Sequence, residues 1–419
     1  MVDIGAAAES VFRKESGRIL ASLIRMSGSF DRAEEALQES FTSALAAWPV
    51  RGIPENPGAW IMTTAHRKLI DALRKERLRR DKQDSLKHET ETVTVPVEPE
   101  FDVSTLDISD DRLRLIFTCC HPAINTEAQV ALTLHPLGGL STAEIAKAFL
   151  LSEATLAQRL VRTKRKIQEA RIPYEVPSPD RLPERLAAVQ AVVYLIFNEG
   201  YTATSGTELV RGNLCSEAIR LGRVLGELLP QEAENLGLLA LMLLQDSRRE
   251  ARVRGGELVT LEDQDRSLWD RRAISEGVML VEKALRMGPA GPYQLQAAIA
   301  ALHAEAPTSA DTDWPQIAKL YERLWMLNPS PVIALNLGVA VAMSGKLEEG
   351  LKRIDGLGRS GELGGYYLFH AARADLLRRL GRHAEAAAAY ENALRLASNR
   401  VEQHFLELRH KEMQDQAGT

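Results

Sequence analysis

Apolar residues recur at spacings of three and four along most of the chain, which is the period of amphipathic helices. The clearest case begins at Asn56, a good N-cap residue, and Pro57, which suits the first helical position. Its apolar stripe consists of Ile61, Ala65, Leu69, Ala72 and Leu73. The pattern predicts one long helix over residues 56–80, with one buried face and one solvent-exposed face.

Two further helices are predicted before it. The first spans Ala6–Met26 and is closed by Ser27-Gly28-Ser29, and the second spans Asp31–Trp48. A Pro- and Gly-containing loop, Val50–Glu55, then leads into the long helix. The predicted core positions of these two helices are Val11, Ile19, Leu20, Leu23, Ile24, Leu37, Phe41, Leu45 and Trp48.

Residues 81–111 interrupt the helical pattern. They contain ten acidic residues against two lysines, a net charge of −8, and the centre at Thr92–Pro96 has no helical period. Such a composition is typical of an extended or flexible linker. In isolation a generic acidic tether is the simplest interpretation.

A second helical block opens at Leu113–Phe117 and contains the most specific local motif of the chain. Ser141 and Glu144 form a capping box that predicts a helix to Phe149, and Ser152 is a second N-cap before a helix over 153–169. Leu150-Leu151 makes the turn between them. The spacing predicts that Ile145, Ala146, Leu151, Leu156 and Leu160 pack together, and that Thr155, Gln158, Arg159, Arg162 and Arg165 point outward. This is a helix-turn-helix pattern, for which a hairpin without a DNA-binding role is the alternative.

After a proline-rich boundary at 173–183, residues 184–415 indicate consecutive helices with Ala/Leu-rich faces. Tyr321 and Tyr390 lie 69 residues apart, close to two periods of about 34 residues. The stretch that starts at Gly345 also parallels the one that starts at Gly381. These features resemble degenerate tetratricopeptide repeats, whose concave faces bind partners.

Two stretches of this region are less regular. Asn198–Ser205 is predicted to be a loop, and Gly255–Asp270 a charged turn that leads into a helix. The interpretation preferred for such polar loops is that they hold a domain interface together.

Composition and charge narrow the function. The net charge of −5 hides basic segments: Ala65–Arg80 carries +5 and Ser152–Arg171 carries +4, which favours contact with nucleic-acid phosphates. A solvated basic helix is the alternative for each. The three cysteines lack metal-ligand spacing, and the longest apolar run, 186–197, is too short to span a bilayer. We therefore expect a cytoplasmic protein without metal, cofactor or membrane contact. No catalytic group has the context that an enzyme needs.

Three segments together resemble a known family. Within residues 31–41 the sequence roughly follows the pattern D-A-E-D-x-x-Q-E-x-F. The helix from Asn56 follows N-P-x-x-W-L-x-x-x-A-R-N-x-x-x-D-x-x-R, with His66-Arg67 at the Arg-Asn pair. Residues 144–164 resemble E-I-A-x-x-L-G-x-S-x-x-T-V-K-S-R-L-x-R-A-R, with Leu150 at the turn glycine and Ala157-Gln158 at Lys-Ser. In this order they resemble regions 2 and 4 of the extracytoplasmic-function (ECF) sigma factors of bacterial RNA polymerase. The remainder resembles their subgroup with a tetratricopeptide-like C-terminal extension.

The resemblance implies an all-α protein in four parts. Region 2 covers residues 1–80, an acidic linker covers 81–111, the region 4 helix-turn-helix covers 112–172, and the repeat-like extension covers 184–415. Its implied partners are core RNA polymerase, through the β′ coiled coil and the β flap, and promoter DNA. A protein partner on the repeat face is a further expectation.

The resemblance also implies roles for individual residues. The polymerase contacts are Asp31, Glu34, Glu35, Gln38, Glu39 and Phe41. The contacts to the −10 element are Asn56, Trp60, Arg67, Asp71, Arg74 and Arg77. The contacts to the −35 element are Thr155, Gln158, Arg159, Arg162 and Arg165. For Trp60, a position in the core is an equal alternative to a base-stacking pocket.

Two other functions remain open from the residues. A stand-alone helix-turn-helix regulator with a sensing repeat domain explains residues 141–171 and 184–415, but it leaves 31–80 and the acidic linker without a role. A repeat-based enzyme or scaffold would show no salt-dependent association with DNA or polymerase.

Overall fold

The computed structural model describes residues 4–85, 108–137, 140–149, 151–203 and 209–418. It divides into two compact units, Met1–Val192 and Val193–Thr419. Eighteen α-helices, three short 3-10 helices and one two-stranded hairpin make up the regular structure of the described residues, which confirms the expected all-α class. Most of the acidic linker, residues 86–107, and the turn residue Leu150 lie outside the described residues.

The first unit begins with α1 (Ile4–Ser27), α2 (Phe30–Arg51) and α3 (Pro57–Ser85). The side chain of Asn56 accepts a hydrogen bond from the Ala59 amide at 3.0 Å, so the predicted N-cap of the long helix is confirmed. The loop predicted over Val50–Glu55 starts later than expected, because α2 continues through Pro49 to Arg51. Gly52, at a φ of 81°, ends that helix.

These three helices bury most of the predicted core. Ile19, Leu20, Leu23 and Ile24 of α1 are buried, as are the residues Leu37, Trp48, Ile61, Ala65 and Leu69 of α2 and α3. The prediction was wrong for Leu45, which is 51% exposed, and for Ala72, which is exposed. The apolar stripe of α3 is thus covered only as far as about Leu69, beyond which the helix presents mainly basic residues.

Four helices follow: α4 (Ile108–Cys119), α5 (Thr126–Leu134), α6 (Thr142–Ala148) and α7 (Glu153–Glu169). The capping box is present, because Ser141 and Glu144 exchange hydrogen bonds of 2.8 and 3.2 Å between side chain and backbone. Ser152 caps α7 by accepting from the Thr155 amide at 3.1 Å. With Ile145, Leu156 and Leu160 buried, α6 and α7 form the predicted helix-turn-helix.

Helix α8 (Leu182–Tyr201) contains the boundary between the units, and it corrects a prediction, because Asn198–Tyr201 is helical and not a loop. The second unit continues with α9 (Gly212–Leu228), α10 (Ala233–Asp246), α11 (Arg271–Arg286), α12 (Pro292–Glu305), α13 (Trp314–Leu327), α14 (Pro331–Met343), α15 (Leu347–Ser360), α16 (Tyr367–Arg379), α17 (His383–Leu396) and α18 (Arg400–Ala417). No helix among the described residues is long and apolar enough to cross a membrane.

The charged turn after α10 contains a small hairpin that the sequence analysis missed. Strands β1 (Val253–Arg254) and β2 (Glu257–Leu258) pair antiparallel around Gly255 and Gly256, which have φ angles of 60° and 88°. Asp270 then caps α11, as the predicted entry into a helix requires.

The repeat pattern corresponds to two helix pairs of similar construction, α14–α15 and α16–α17. Each pair turns at a glycine with positive φ, Gly345 at 94° and Gly381 at 71°. Leu324, Tyr390 and Ala393 are buried in the interfaces between successive helices. The second unit is therefore a stack of antiparallel helices.

Candidate nucleic-acid interface

Helix α7 presents a polar and basic face to solvent. Thr155, Gln158, Arg162 and Arg165 are exposed, and the Arg159 side chain is about one-third exposed. This is the outward orientation that the spacing predicted. Two of the cations are held by carboxylates: Arg165 by Glu169 at 2.6 Å on the same helix, and Arg159 by Glu127 at 3.0 Å.

A cleft of about 330 Å³ separates this face from the start of α5. Arg159, Arg162 and Lys166 line one wall, and Asn125 and Glu127 line the other. Asn125 caps α5 by accepting from the Ala128 amide at 2.9 Å. The positive end of the α5 dipole and three cations thus meet here, opposed by the carboxylate of Glu127, and such a cleft attracts phosphate.

Helix α3 provides a second basic surface. The side chains of Arg67, Asp71, Arg74 and Arg77 are exposed along it. Basic side chains spaced along one helix suit a phosphate backbone.

Two residues at the start of α3 stabilise the protein's own fold. The Asn56 side chain is engaged as the N-cap, and the Trp60 ring lies edge-on to Trp48 with centroids 5.8 Å apart. Trp60 is half-buried, so its ring packs on Trp48 while part of it stays accessible, and the base-stacking role stays a prediction. These two residues shape the junction between loop and helix.

His66, which stands at the position of an arginine in the family pattern, points inward. Its Nε2 lies 3.2 Å from the Ser22 hydroxyl in the core between α1 and α3. Burial and the charge of Arg25 lower the pKa of His66. The basic face of α3 therefore begins at Arg67.

The acidic face of α2 is only partly open. Glu35, Gln38 and Glu39 are exposed, with Glu39 beside Lys68 of α3 at 3.5 Å. Phe41 packs edge-on against Phe12 at 5.3 Å and belongs to the packing of α1 on α2.

Two acidic residues of α2 contact the second helical block instead. The Lys164 ammonium lies 2.5 Å from Glu34 and 3.5 Å from Asp31, and His135 lies 3.6 Å from Glu34. Sequence reasoning missed Lys164, His135 and Glu127. No local signal could have found them, because Glu34 and Lys164 are 130 positions apart.

Two known families match the helical blocks that carry these surfaces. The family described as Sigma-70 region 2 matches residues 11–79, and Sigma-70 region 4 matches residues 114–167. The chain is a sigma factor with regions 2 and 4 of the sigma-70 family. The partners of this sigma factor are therefore core RNA polymerase and promoter DNA. The region 2 match includes residues 31–79, a stretch that a stand-alone regulator would leave without a role.

Two relatives define how far the similarity extends. The sigma factor is 28% identical over 179 residues to the "Probable ECF RNA polymerase sigma factor SigI" of Mycobacterium tuberculosis, an alignment that covers 42% of this chain and 60% of SigI. It is 43% identical to the "Uncharacterized protein R00370" of Rhizobium meliloti over 93% of this chain and 92% of that protein. A family of unknown function (DUF6596) matches residues 185–285. The extension is thus shared with the rhizobial protein.

Proposed function

We propose that this sigma factor uses three separate surfaces during promoter-specific initiation. The exposed acidic face of α2 contacts core polymerase, α3 and its preceding loop engage the −10 element, and α7 reads the −35 element. The observation that carries the proposal is the cleft between α5 and α7, where arginines project beside a helix N-terminus. A major-groove recognition helix needs such side chains, because some of them contact base edges while arginines and lysines contact phosphates.

Within α7, different side chains suit different contacts. Thr155 and Gln158 lie in the exposed N-terminal half of the helix, from which base edges are read. Arg162 projects from the exposed face of the same helix, whereas Glu127 holds Arg159 in one orientation across the cleft. Arg159 is therefore suited to a directional base contact and Arg162 to base or phosphate. Arg165, turned toward Glu169, contributes through phosphate.

On region 2 the proposal separates contact residues from supporting ones. Glu35, Gln38 and Glu39 face solvent and suit the polymerase, while Phe41 supports α2 from inside. Arg67, Arg74 and Arg77 suit contacts with DNA phosphates. Asp71 lies among them and would repel a phosphate, so it suits a contact with a base. Asn56 and Trp60 fix the loop through the helix cap and the Trp48 contact.

The extension is proposed to regulate the sigma factor by binding a protein partner. The second unit contains a cavity of about 410 Å³ between residues 260–266 and helices α12–α14 and α16–α18. The walls of the cavity include the aromatic rings of Trp314, Tyr390 and Phe405. At its edge, Arg378 and Arg379 both form ion pairs with the carboxylate of Asp375. Aromatic walls with anchored polar groups are typical of recognition surfaces.

Transcription from one promoter and its −35 mutants tests the α7 assignment. Arg162→Ala is expected to reduce transcription by about tenfold or more, which corresponds to the loss of a single good contact. The defect should largely disappear on a promoter whose −35 element is already mutated. Arg181→Ala, which removes an exposed arginine outside α7, is the control. An equal defect of Arg162→Ala on both promoters would contradict the assignment.

A further inference from the structure

The acidic face of α2 is also the place where the two helical blocks of the first unit meet. Lys164 of α7 reaches across to it, with its ammonium 2.5 Å from Glu34 and 3.5 Å from Asp31. Only 11% of the Lys164 side chain is exposed, although its neighbours Arg162 and Arg165 face solvent. The recognition helix therefore turns one cation inward against region 2.

Additional contacts close the same interface. His135, at the end of α5, approaches Glu34 from a second side at 3.6 Å. On α1, Gly17 lets the Pro136–Leu137 backbone come close, because a Cβ at that position would lie 3.1 Å from the Pro136 carbonyl oxygen. The two blocks are thus held by ion pairs and by close backbone packing.

A second ionic contact lies between α1 and α4. Arg25 pairs with Asp111 at 2.9 Å, and the Asp111 side chain is 1% exposed. The Tyr174 hydroxyl donates to the Ala21 carbonyl at 2.8 Å and ties the segment after α7 to the same helix. Buried charge pairs of this kind need specific geometry, so they define one arrangement of the blocks.

We propose that this arrangement is a closed resting state, in which Lys164 occupies the α2 surface that core polymerase engages. The inference rests on the proposed polymerase contact of α2. Asp31 and Glu34 are among the polymerase contacts that the family resemblance implies. Lys164 holds Glu34 Oε2 and lies 3.5 Å from Asp31, so the polymerase has to displace Lys164 to reach Glu34. Region 4 and the polymerase therefore compete for α2, and polymerase binding displaces α7.

Chain connectivity permits the blocks to separate. Twenty-two residues, 86–107, join α3 to α4. A chain of that length reaches at most about 75 Å when fully extended. Opening therefore requires no helix to unfold, only the loss of the contacts between α1–α2 and α4, α5 and α7.

The closed state has a thermodynamic consequence. A partner that binds only the open form sees its affinity reduced by the open fraction, so weakening the closed form strengthens binding. Lys164 is the residue to change because it holds the interface while lying outside the proposed polymerase and DNA contacts. Lys164→Ala leaves Glu34 and Asp31 intact for the polymerase.

The first measurement is a spin-label distance in the full-length free protein. Labels on Ala46→Cys of α2 and Gln168→Cys of α7 sit at exposed positions, and the native cysteines are all buried. The otherwise unchanged protein should give one narrow distribution, and adding Lys164→Ala should broaden it and extend it to longer distances. Lys164→Arg should restore the narrow distribution. An unchanged distribution in Lys164→Ala would overturn the proposal.

The second measurement is affinity for purified core polymerase without DNA. Lys164→Ala should bind about tenfold more tightly than the unmodified protein. The apparent Kd is the intrinsic Kd divided by the open fraction, so a tenfold larger open fraction lowers it about tenfold. Lys319→Ala, which removes an exposed lysine of α13, is the charge-matched control and should bind like wild type. A broadened distance with unchanged affinity would refute the competition while leaving the sigma function intact. If neither protein binds core polymerase, the proposed function itself fails, and this inference with it.

Discussion

At the scale of single residues, the orientation of the α7 side chains is set locally, but their partners are not. The 3.6-residue period divided Leu156 and Leu160 from Gln158 and Arg162 correctly, since a helix fixes which positions share a face. The pairing of Arg159 with Glu127 depends on how α5 crosses α7. That crossing is a tertiary property, which sequence spacing does not encode.

The Arg159–Glu127 pair gives a prediction about specificity. An exposed ion pair contributes little stability, and Glu127 is 75% exposed, so Glu127→Gln should leave the melting temperature almost unchanged. It should relax base preference at one −35 position by about tenfold, because Arg159 loses its fixed orientation. Selection from a randomised −35 library measures this, with Glu169→Gln, which removes the carboxylate partner of Arg165, as the control. Unaltered preference in Glu127→Gln would show that Arg159 needs no such support.

His303 gives a prediction about pH. Burial, with the charges of Arg248 and Arg266, lowers its pKa from the ordinary 6.5 to about 4. The unfolded chain therefore takes up a proton between those values and the folded protein does not, so stability is full above pH 6.5 and falls as pH drops toward 4. By pH 5 the loss attributable to this group should be about 1–2 kcal/mol. Urea unfolding at pH 7.5 and 5.0 should show a smaller pH dependence in His303→Gln, and equal dependence in both proteins would contradict the assignment.

At the scale of elements, local signals fixed the starts of helices better than their ends. The caps at Asn56, Ser141 and Ser152 were found from sequence because each acts within three residues of its helix. The end of α2 ran past Pro49, and the hairpin at Gly255-Gly256 was missed. Strands of two residues carry no alternation that a periodic pattern can detect.

The turn between α14 and α15 gives a stability prediction with an internal control. Gly345→Ala forces a side chain into a φ of 94° and should lower the free energy of unfolding by about 1–2 kcal/mol. Gly356→Ala, inside α15 and near only the end of the Arg359 side chain, should raise it by up to about 1 kcal/mol. Chemical unfolding of the two variants measures the difference. A Gly345→Ala protein as stable as wild type would count against the repeat turn as described.

Helix α2 gives a prediction about polymerase binding. Replacing Glu35 and Gln38 together by alanine should weaken affinity for core polymerase by about tenfold, because both side chains face solvent on the proposed contact surface. Glu55→Ala removes an exposed carboxylate from the neighbouring loop and should have no effect on this affinity. Full affinity of the double variant would move the contact to another surface.

At the scale of the whole molecule, the all-α class, the helix-turn-helix and the helical extension followed from the sequence, because each rests on a repeated local period. The packing of region 4 against region 2 did not. It depends on contacts such as Lys164 with Glu34 and Arg25 with Asp111, which join distant parts of the chain. Those contacts convert two DNA-binding blocks into a unit whose opening can be regulated.

Run-off transcription with purified sigma-free core polymerase, the full-length protein and fragmented genomic DNA tests the central claim most directly. Mapping the 5′ ends should reveal discrete transcripts that appear only when the protein is added and share two upstream elements. The Lys164→Ala protein should give the same start sites in higher yield at limiting polymerase. DNA binding that needs no polymerase, with no new transcript from either protein, would contradict the sigma-factor account.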